Sequence, residues 1–406
     1  MTNILWGLGG IAVLFGIAFI LSNDRKSIRL RTILGGFAIQ LTFGFIVLKW
    51  GPGRKALEWV TKKVQNVIDY ANEGVDFLFG GLFAAEGIGF IFAFQVLTVI
   101  IFFSSLISVL YYLGIMQVVI QFFGGALSKL LGTSKAESLS AAANIFVGQT
   151  EAPLVVRPYI AKMTNSELFA VMTGGLASVA GSVLFGYALL GVPLEYLLAA
   201  SFMAAPSGLI MAKMIMPERD TPETVEDITM DKDKATVNVI DAAAKGASDG
   251  LGLALNVGAM LLAFIALIAM VNGILGGIGG WFGAENLSLE LILGYVFAPL
   301  AFVIGVPWGE AVQAGSFIGQ KLVLNEFVAY SNFAPEIGNF SAKTAAIISF
   351  ALCGFANLSS LAILLGGLGG LAPNRRPDIA RFGVRAIIAG TLANLLSAAI
   401  AGMLIL

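Results

Sequence analysis

Gln149, Thr150 and Glu151 stand between Gly148 and the pair Ala152-Pro153, a polar cluster ending in a carboxylate within sequence that is otherwise apolar. An ionisable side chain at bilayer depth costs roughly 2.5–3.5 kcal/mol on insertion scales, so it is kept where it faces a cavity or a bound partner. Gly148 and Pro153 interrupt helix on both sides, which predicts a re-entrant turn. Such backbone is tolerated at membrane depth only where protein or a water-filled cavity surrounds it. Three more polar groups interrupt apolar sequence: Ser178 and Ser182 among Gly174, Gly175 and Gly181; Asn325-Glu326; and Asn357, Ser359 and Ser360 after Gly354-Phe355.

These residue types suit recognition of a polar, uncharged organic solute. Carboxylates accept from paired hydroxyls such as a ribose diol, and amides both donate and accept, matching the edge of a nucleobase. Phe355 offers a ring face for stacking or packing. The oxygens of Asn144 and Ser178, with unwound carbonyls, suit a hard cation; the same groups equally suit the capping of broken helix ends. Ser182 and Ser359 are as well explained by ordinary hydrogen bonds between membrane helices.

Composition sets the surroundings of these groups. The chain has 406 residues, of which 58% are hydrophobic and only 12% charged, with a mean hydropathy of +0.89. Soluble domains carry about 25% charged residues, so this chain reads as an all-α integral membrane protein. Long apolar runs such as Ile4–Leu21 and Leu251–Ile274 argue against a β-barrel, whose strands alternate over short segments. Histidine is absent and Cys353 is the single cysteine, which removes His-based catalysis, His-ligated metals and an intrachain disulfide. A net charge of -1 argues against nucleic acid as a partner. No cofactor is expected. An intramembrane enzyme would need a nucleophile–base pair or two catalytic aspartates, and the aspartates fall in loops or interfacial sequence; the chain reads as no enzyme.

Apolar length predicts eight spans near 3–22, 32–50, 88–113, 167–191, 194–216, 251–275, 343–368 and 382–404. The basic residues of Arg25–Arg31, Lys129–Lys135, Arg157–Lys162 and Arg375–Arg385 then share the cytoplasmic side, and both termini lie outside. Nothing basic precedes Ile4, the reverse of a signal peptide. Residues 55–71 place Leu57, Val60, Val64, Val67, Ile68 and Ala71 opposite Lys55, Glu58, Lys62, Lys63 and Asp69, the pattern of an interfacial helix. Residues 217–234 are acid-rich and read as a solvated cytoplasmic loop.

Two semi-polar segments, 134–161 and 306–335, predict re-entrant helical hairpins. Capping boxes open the first (Ser134 to Glu137) and the helix after it (Thr164 to Glu167). Short echoes recur in order: Leu106–Ile115 with Leu267–Ile274, Val147-Gly148-Gln149 with Ile318-Gly319-Gln320, and Gly175–Ser178 with Gly354–Asn357. Together they predict an inverted repeat with discontinuous helices meeting at the midplane. The expected organisation is a scaffold of spans 1–3 over 1–113; a first core over 114–216; a cytoplasmic loop over 217–247; a long scaffold span and connecting helix over 248–304; and a second core over 305–406.

The stretch Ala141–Pro158, with Asn325–Tyr330 and Cys353–Ser360, closely resembles the concentrative nucleoside transporter family, in its bacterial, sodium-coupled branch. The resemblance covers essentially the whole chain. It implies a homotrimer in the bacterial inner membrane, with a scaffold around a mobile transport domain in each protomer. It implies that Gln149 and Thr150 bind the nucleobase, that Glu151 contacts it through water, and that Val183 and Phe355 flank it. Glu326, Asn357 and Ser360 would bind the ribose hydroxyls. Sodium would take the side chains of Asn144 and Ser178 and the carbonyls of Val147 and Val179; the family's isoleucine at the last position is valine here, which leaves a carbonyl ligand intact. The implied function is sodium-coupled symport of nucleosides such as uridine. The alternatives are proton coupling through Glu151 or a channel for polar solutes.

Overall fold

The computed structural model describes residues 2–83, 91–225, 236–284 and 286–405. Among these residues every regular element is helical. Helices α1 (Thr2–Ile20) and α2 (Leu30–Gly44, continued by a π turn at Phe45–Lys49) lead into the long α3 (Gly51–Phe83). A single turn, α4 (Phe92–Gln95), precedes α5 (Leu97–Tyr112) and α6 (Ile115–Leu131). Next come the short α7 (Lys135–Ala143), a 3-10 turn at Ala152–Val156 and α8 (Arg157–Ile160). A broken rod of α9 (Asn165–Ala177) and α10 (Gly181–Leu189) is followed by α11 (Leu194–Ile215) and by α12 (Val239–Trp281). The second half holds α13 (Leu289–Val303), α14 (Trp308–Val323), α15 (Glu326–Phe333), α16 (Ala342–Leu352), α17 (Leu358–Leu371) and α18 (Arg376–Leu404).

Among the described residues, seven helical stretches are long and apolar enough to cross a membrane, and α13 with α14 passes the same test as a pair bent by 115°. The expected seventh span is divided into α16 and α17, each too short to cross alone; the residues between them, Cys353 to Asn357, include the Gly354-Phe355 pair. The fourth breaks between α9 and α10 at Ser178, Val179 and Ala180.

Local chemistry explains the starts of these pieces. Ser134 and Glu137 form a capping box at α7, and Thr164 and Glu167 form another at α9, each satisfying orphan backbone donors. Asn325, Asn357 and Ser288 cap α15, α17 and α13 with side-chain oxygens. The breaks are thus built from residues that prefer helix ends.

Several boundaries differ from those the sequence suggested. The amphipathic helix runs over 33 residues rather than 55–71, because Ala71 and Val75 extend its buried stripe while Lys55, Glu58, Lys62, Lys63 and Asp69 stay exposed. Helix α12 begins at Val239, earlier than the span expected at 251. The charges Asp241, Lys245 and Asp249 disguise a buried stripe of Ala242, Gly246, Gly250 and Ala254. That stripe packs on α5: a Cβ at Gly246 or Gly250 would lie within 2.8 Å of Ser104, Ser105 or Ser108 atoms or the Ile101 backbone, the small-residue contact by which membrane helices approach closely. Glu218, expected in a solvated loop, is buried against Lys213; Glu226, Asp227, Asp231 and Asp233 fall outside the described residues. The echo between 147–149 and 318–320 joins unlike structure, since the first is a non-helical tip and the second lies within α14.

Packing separates two groups of helices. Helix α5 packs on the first half of α12, where Gly246, Gly250 and Gly258 meet it. Helices α1 and α2 instead pack on α11 and α18, with Gln40 donating to the Met203 carbonyl at 3.1 Å and to Ser397 Oγ at 2.9 Å. Basic residues from three of the four expected cytoplasmic loops tie neighbouring segments together. Arg31 donates to the Lys129 carbonyl at 2.5 Å, Arg375 to Asn165 Oδ1 at 2.8 Å, and Arg385 to Asn23.

Candidate functional site

The tip after α7 is held against the α9–α10 break by close backbone approach. Gly181 N donates to the Phe146 carbonyl at 3.1 Å. A Cβ at Gly181 would stand 2.5 Å from that carbonyl oxygen, and one at Gly175 would stand 2.8 Å from Gln149 Cβ. Glycine at these two positions is what lets the tip seat. Asn144 Nδ2 donates to the Ser140 carbonyl at 2.9 Å, while its Oδ1 is buried without a hydrogen-bond partner. Among the described residues, no donor reaches the carbonyls of Val147 or Val179 either. Ser178 Oγ donates to the Gly174 carbonyl at 2.9 Å, leaving lone pairs unused. Several oxygens thus lie around one break with unused accepting capacity, a donor set of the kind a hard cation takes.

The second break carries the carboxylate. Glu326 opens α15 and is 6% exposed. Its Oε1 accepts from the Tyr187 hydroxyl at 3.0 Å, and its Oε2 accepts from Asn357 Nδ2 at 3.0 Å. Asn357 Oδ1 in turn accepts from Ser360 N at 2.9 Å and from Ser359 Oγ at 2.7 Å. A helix N-terminus also favours the negative charge.

Both breaks face a single cavity of about 110 Å³. Gln149, Thr150, Glu151 and Val183 line it from one side, and Glu326, Phe355, Asn357 and Ser360 from the other. Gln149 Nε2 reaches Ser360 Oγ at 3.4 Å across the gap, while Gln149 Oε1 is buried with no partner among the described residues. The structure therefore brings together all eight residues expected at a solute site. It distinguishes the two carboxylates, however: Glu326 is buried, whereas Glu151 is exposed and accepts from the Thr150 hydroxyl at 2.9 Å. The cost of burying charge applies to Glu326 and not to Glu151.

Sequence reasoning missed several contributors. Tyr187 lies four residues, about one helical turn, beyond Val183, and that spacing was the signal available for it. Phe327 follows Glu326 into the lining, and Leu253, Val257 and Leu261 form a wall at four-residue spacing on α12.

Known proteins resemble this chain along nearly its whole length. Three family models match in succession: the Na+ dependent nucleoside transporter N-terminus over residues 9–82, Nucleoside recognition over 93–194, and the Na+ dependent nucleoside transporter C-terminus over 196–402. An uncharacterized transporter, YutK, of Bacillus subtilis is 65% identical over 404 residues, covering 99% of this chain and all of that protein. The nucleoside permease NupC of Helicobacter pylori is 53% identical over 411 residues, covering 99% of this chain and 98% of that one. A solved structure of CNTnw in an inward-facing substrate-bound state shares 59% identity at a TM-score of 0.95, over 99% of this chain and 98% of the other. On these matches, the chain belongs to the concentrative nucleoside transporter family of multi-pass membrane proteins.

Proposed function

We propose that this chain takes up nucleosides such as uridine by sodium-coupled symport across a bacterial inner membrane, with both termini outside. The observation that carries the reading is the one cavity walled by Gln149, Thr150 and Glu151 on one side and Glu326, Asn357 and Ser360 on the other. Gln149 and Thr150 would hold the base, with Glu151 acting through water. Val183 and Phe355 would flank the ring. Glu326, Asn357 and Ser360 would take the ribose hydroxyls, the carboxylate accepting while the amide and hydroxyl supply donors. The permease name of the H. pylori relative supports this substrate class.

Sodium would sit between the 144–148 tip and the α9–α10 break, on the Asn144 and Ser178 side chains and the Val147 and Val179 carbonyls. The unpartnered Asn144 Oδ1 supports that position, and the sodium dependence named for the matching family models supports the choice of ion. The ion would tie the tip to the break and so fix Gln149, Thr150 and Glu151 for substrate. Residues 134–161 and 306–335 would act as re-entrant hairpins of an inverted repeat, moving with the broken helices as one transport unit. Helices α5 and α12 pack on each other, and α12 leaves an apolar face exposed at Leu255, Leu262 and Ile265. They would form the static frame, assembled as a homotrimer.

The energetics suffice. One charge crossing 100 mV releases about 2.3 kcal/mol, and a tenfold sodium gradient adds about 1.4 kcal/mol. Coupled one ion to one solute, that sustains roughly a several-hundred-fold nucleoside gradient. The test is radiolabelled uridine uptake into proteoliposomes with sodium replaced by choline at fixed pH. Accumulation that disappears in choline supports the reading. Accumulation that persists in choline and follows a pH gradient assigns proton coupling, and flux without accumulation assigns a channel.

A further inference from the structure

Lys321 has no part in the reading above, yet it is 1% exposed, on α14, one helical turn before the 324–325 tip. Its ammonium donates to the Ala351 carbonyl at 2.9 Å and to Asn394 Oδ1 at 2.6 Å. Ala351 lies in the last turn of α16, so the charge sits at the carbonyl end of a helix that stops at the second break. That end of a helix carries partial negative charge and favours a cation. Neither hydrogen-bond partner is a carboxylate, although Glu326, five residues on, interacts with the ammonium electrostatically.

Asn394 extends the arrangement to both breaks. From α18 it donates to the Cys353 carbonyl at 2.9 Å and to the Ala177 carbonyl at 2.6 Å. Ala177 is the last residue of α9 and Cys353 the first beyond α16. The residue facing this amide is Gly354, where a Cβ would collide with it. One amide therefore holds the carbonyl ends of both interrupted helices, and Lys321 supplies the positive charge at the second of them. At the first, Asn144 Oδ1 has no hydrogen-bond partner among the described residues, and no backbone donor among them reaches the Val147 or Val179 carbonyl.

We propose that Lys321 is a tethered cation: it clamps hairpin residues 306–335 to the α16 break in the way a bound sodium would clamp the first tip to the α9 break. With the ammonium in place, Glu326 and Asn357 are positioned for substrate without a second ion in that half. Lys321 is a positioning residue, acting through α15 and the 353–357 break and not by touching the solute. The comparison between halves rests on the sodium reading; the role of the charge at Lys321 does not.

The experiment measures uridine binding by calorimetry on purified Lys321→Ala, Lys321→Met and Lys321→Arg, at one fixed sodium concentration, with methylammonium, ethylammonium or choline added. Lys321→Met should bind uridine at least about tenfold more weakly than Lys321→Arg. Lys321→Ala should regain affinity with ethylammonium and not with choline, which is too bulky and has no N–H to donate. A folded Lys321→Ala that no primary amine restores overturns the proposal. If the alanine variant does not fold, the Met and Arg pair decides: equal affinity in the two, whether high or absent, overturns it. Wild-type uptake that ignores sodium would remove the sodium reading while leaving the amine rescue to decide Lys321.

Discussion

The Tyr187 hydroxyl donates to Glu326 Oε1 at 3.0 Å, joining the helix after the first break to the carboxylate beside the second. Both side chains are buried, and Tyr187 also stacks on Tyr330 with ring centroids 4.4 Å apart. The hydroxyl thus has a fixed direction, and with Asn357 it orients the carboxylate toward the cavity. A hydrogen bond to a charged group is worth about 1.5–3 kcal/mol. Tyr187→Phe should therefore raise the KM for uridine uptake by roughly tenfold or more, with membrane expression retained. An unchanged KM in reconstituted vesicles would remove Tyr187 from the site. Glu326→Gln, which turns one of the two acceptor oxygens into a donor and removes the charge, should cripple uptake while leaving expression intact.

The apolar spans, both capping boxes and the breaks were legible because each rests on local signals: run length, Ser or Thr three residues before Glu, and Gly or Pro inside apolar sequence. The eight cavity residues were legible because polar groups inside apolar sequence demand a reason. What stayed hidden depends on contacts distant in sequence. Tyr187 looks like one more aromatic in an apolar helix until Glu326, 139 residues away, is seen to meet it. Lys321 and Asn394 bond across 73 residues, and each alone is unremarkable in its helix. The start of α12 was obscured because its charged residues lie opposite a stripe of small ones, and a reading by mean hydropathy averages over both faces.

Gly181 gives a test of how the first tip is seated. A methyl group there would press on the Phe146 carbonyl at 2.5 Å, and backbone must move to relieve it. Overpacking of a tight site costs about 1–3 kcal/mol. Gly181→Ala should lower the melting temperature in detergent modestly and weaken sodium-dependent uridine binding by about tenfold or more. Gly9 meets nothing within 4 Å, so Gly9→Ala serves as the control. Equal binding in the two variants would mean the tip does not need its contact with the break.

Asn144 separates ion from solute. Its Oδ1 has no partner among the described residues, while its Nδ2 donates to the Ser140 carbonyl. Asn144→Ala should raise the sodium concentration for half-maximal uridine uptake by about tenfold, and saturating sodium should restore much of the uridine affinity. A variant whose sodium dependence matches the wild type would show that this oxygen does not meet the ion.

Lys213 tests a charge cluster outside the cavity. Its Nζ lies 2.6 Å from Glu137 Oε2, 3.5 Å from Glu218 Oε2 and 2.8 Å from Ser166 Oγ. The three charged side chains are at most 7% exposed. Glu137 also closes the capping box at Ser134, and Glu218 accepts from the Thr164 hydroxyl at 2.9 Å. One ammonium thus binds the start of α7, the start of α9 and the end of α11. Removing one partner of a buried pair leaves uncompensated charge and costs about 3–5 kcal/mol, whereas replacing all the charges with neutral groups is far milder. Lys213→Met should therefore lower the melting temperature more than the triple change Lys213→Met, Glu137→Gln, Glu218→Gln. Differential scanning fluorimetry in detergent reads this directly. If the triple variant melts no higher than the single one, the cluster stabilises through packing of the lysine stem and its charges carry no net weight.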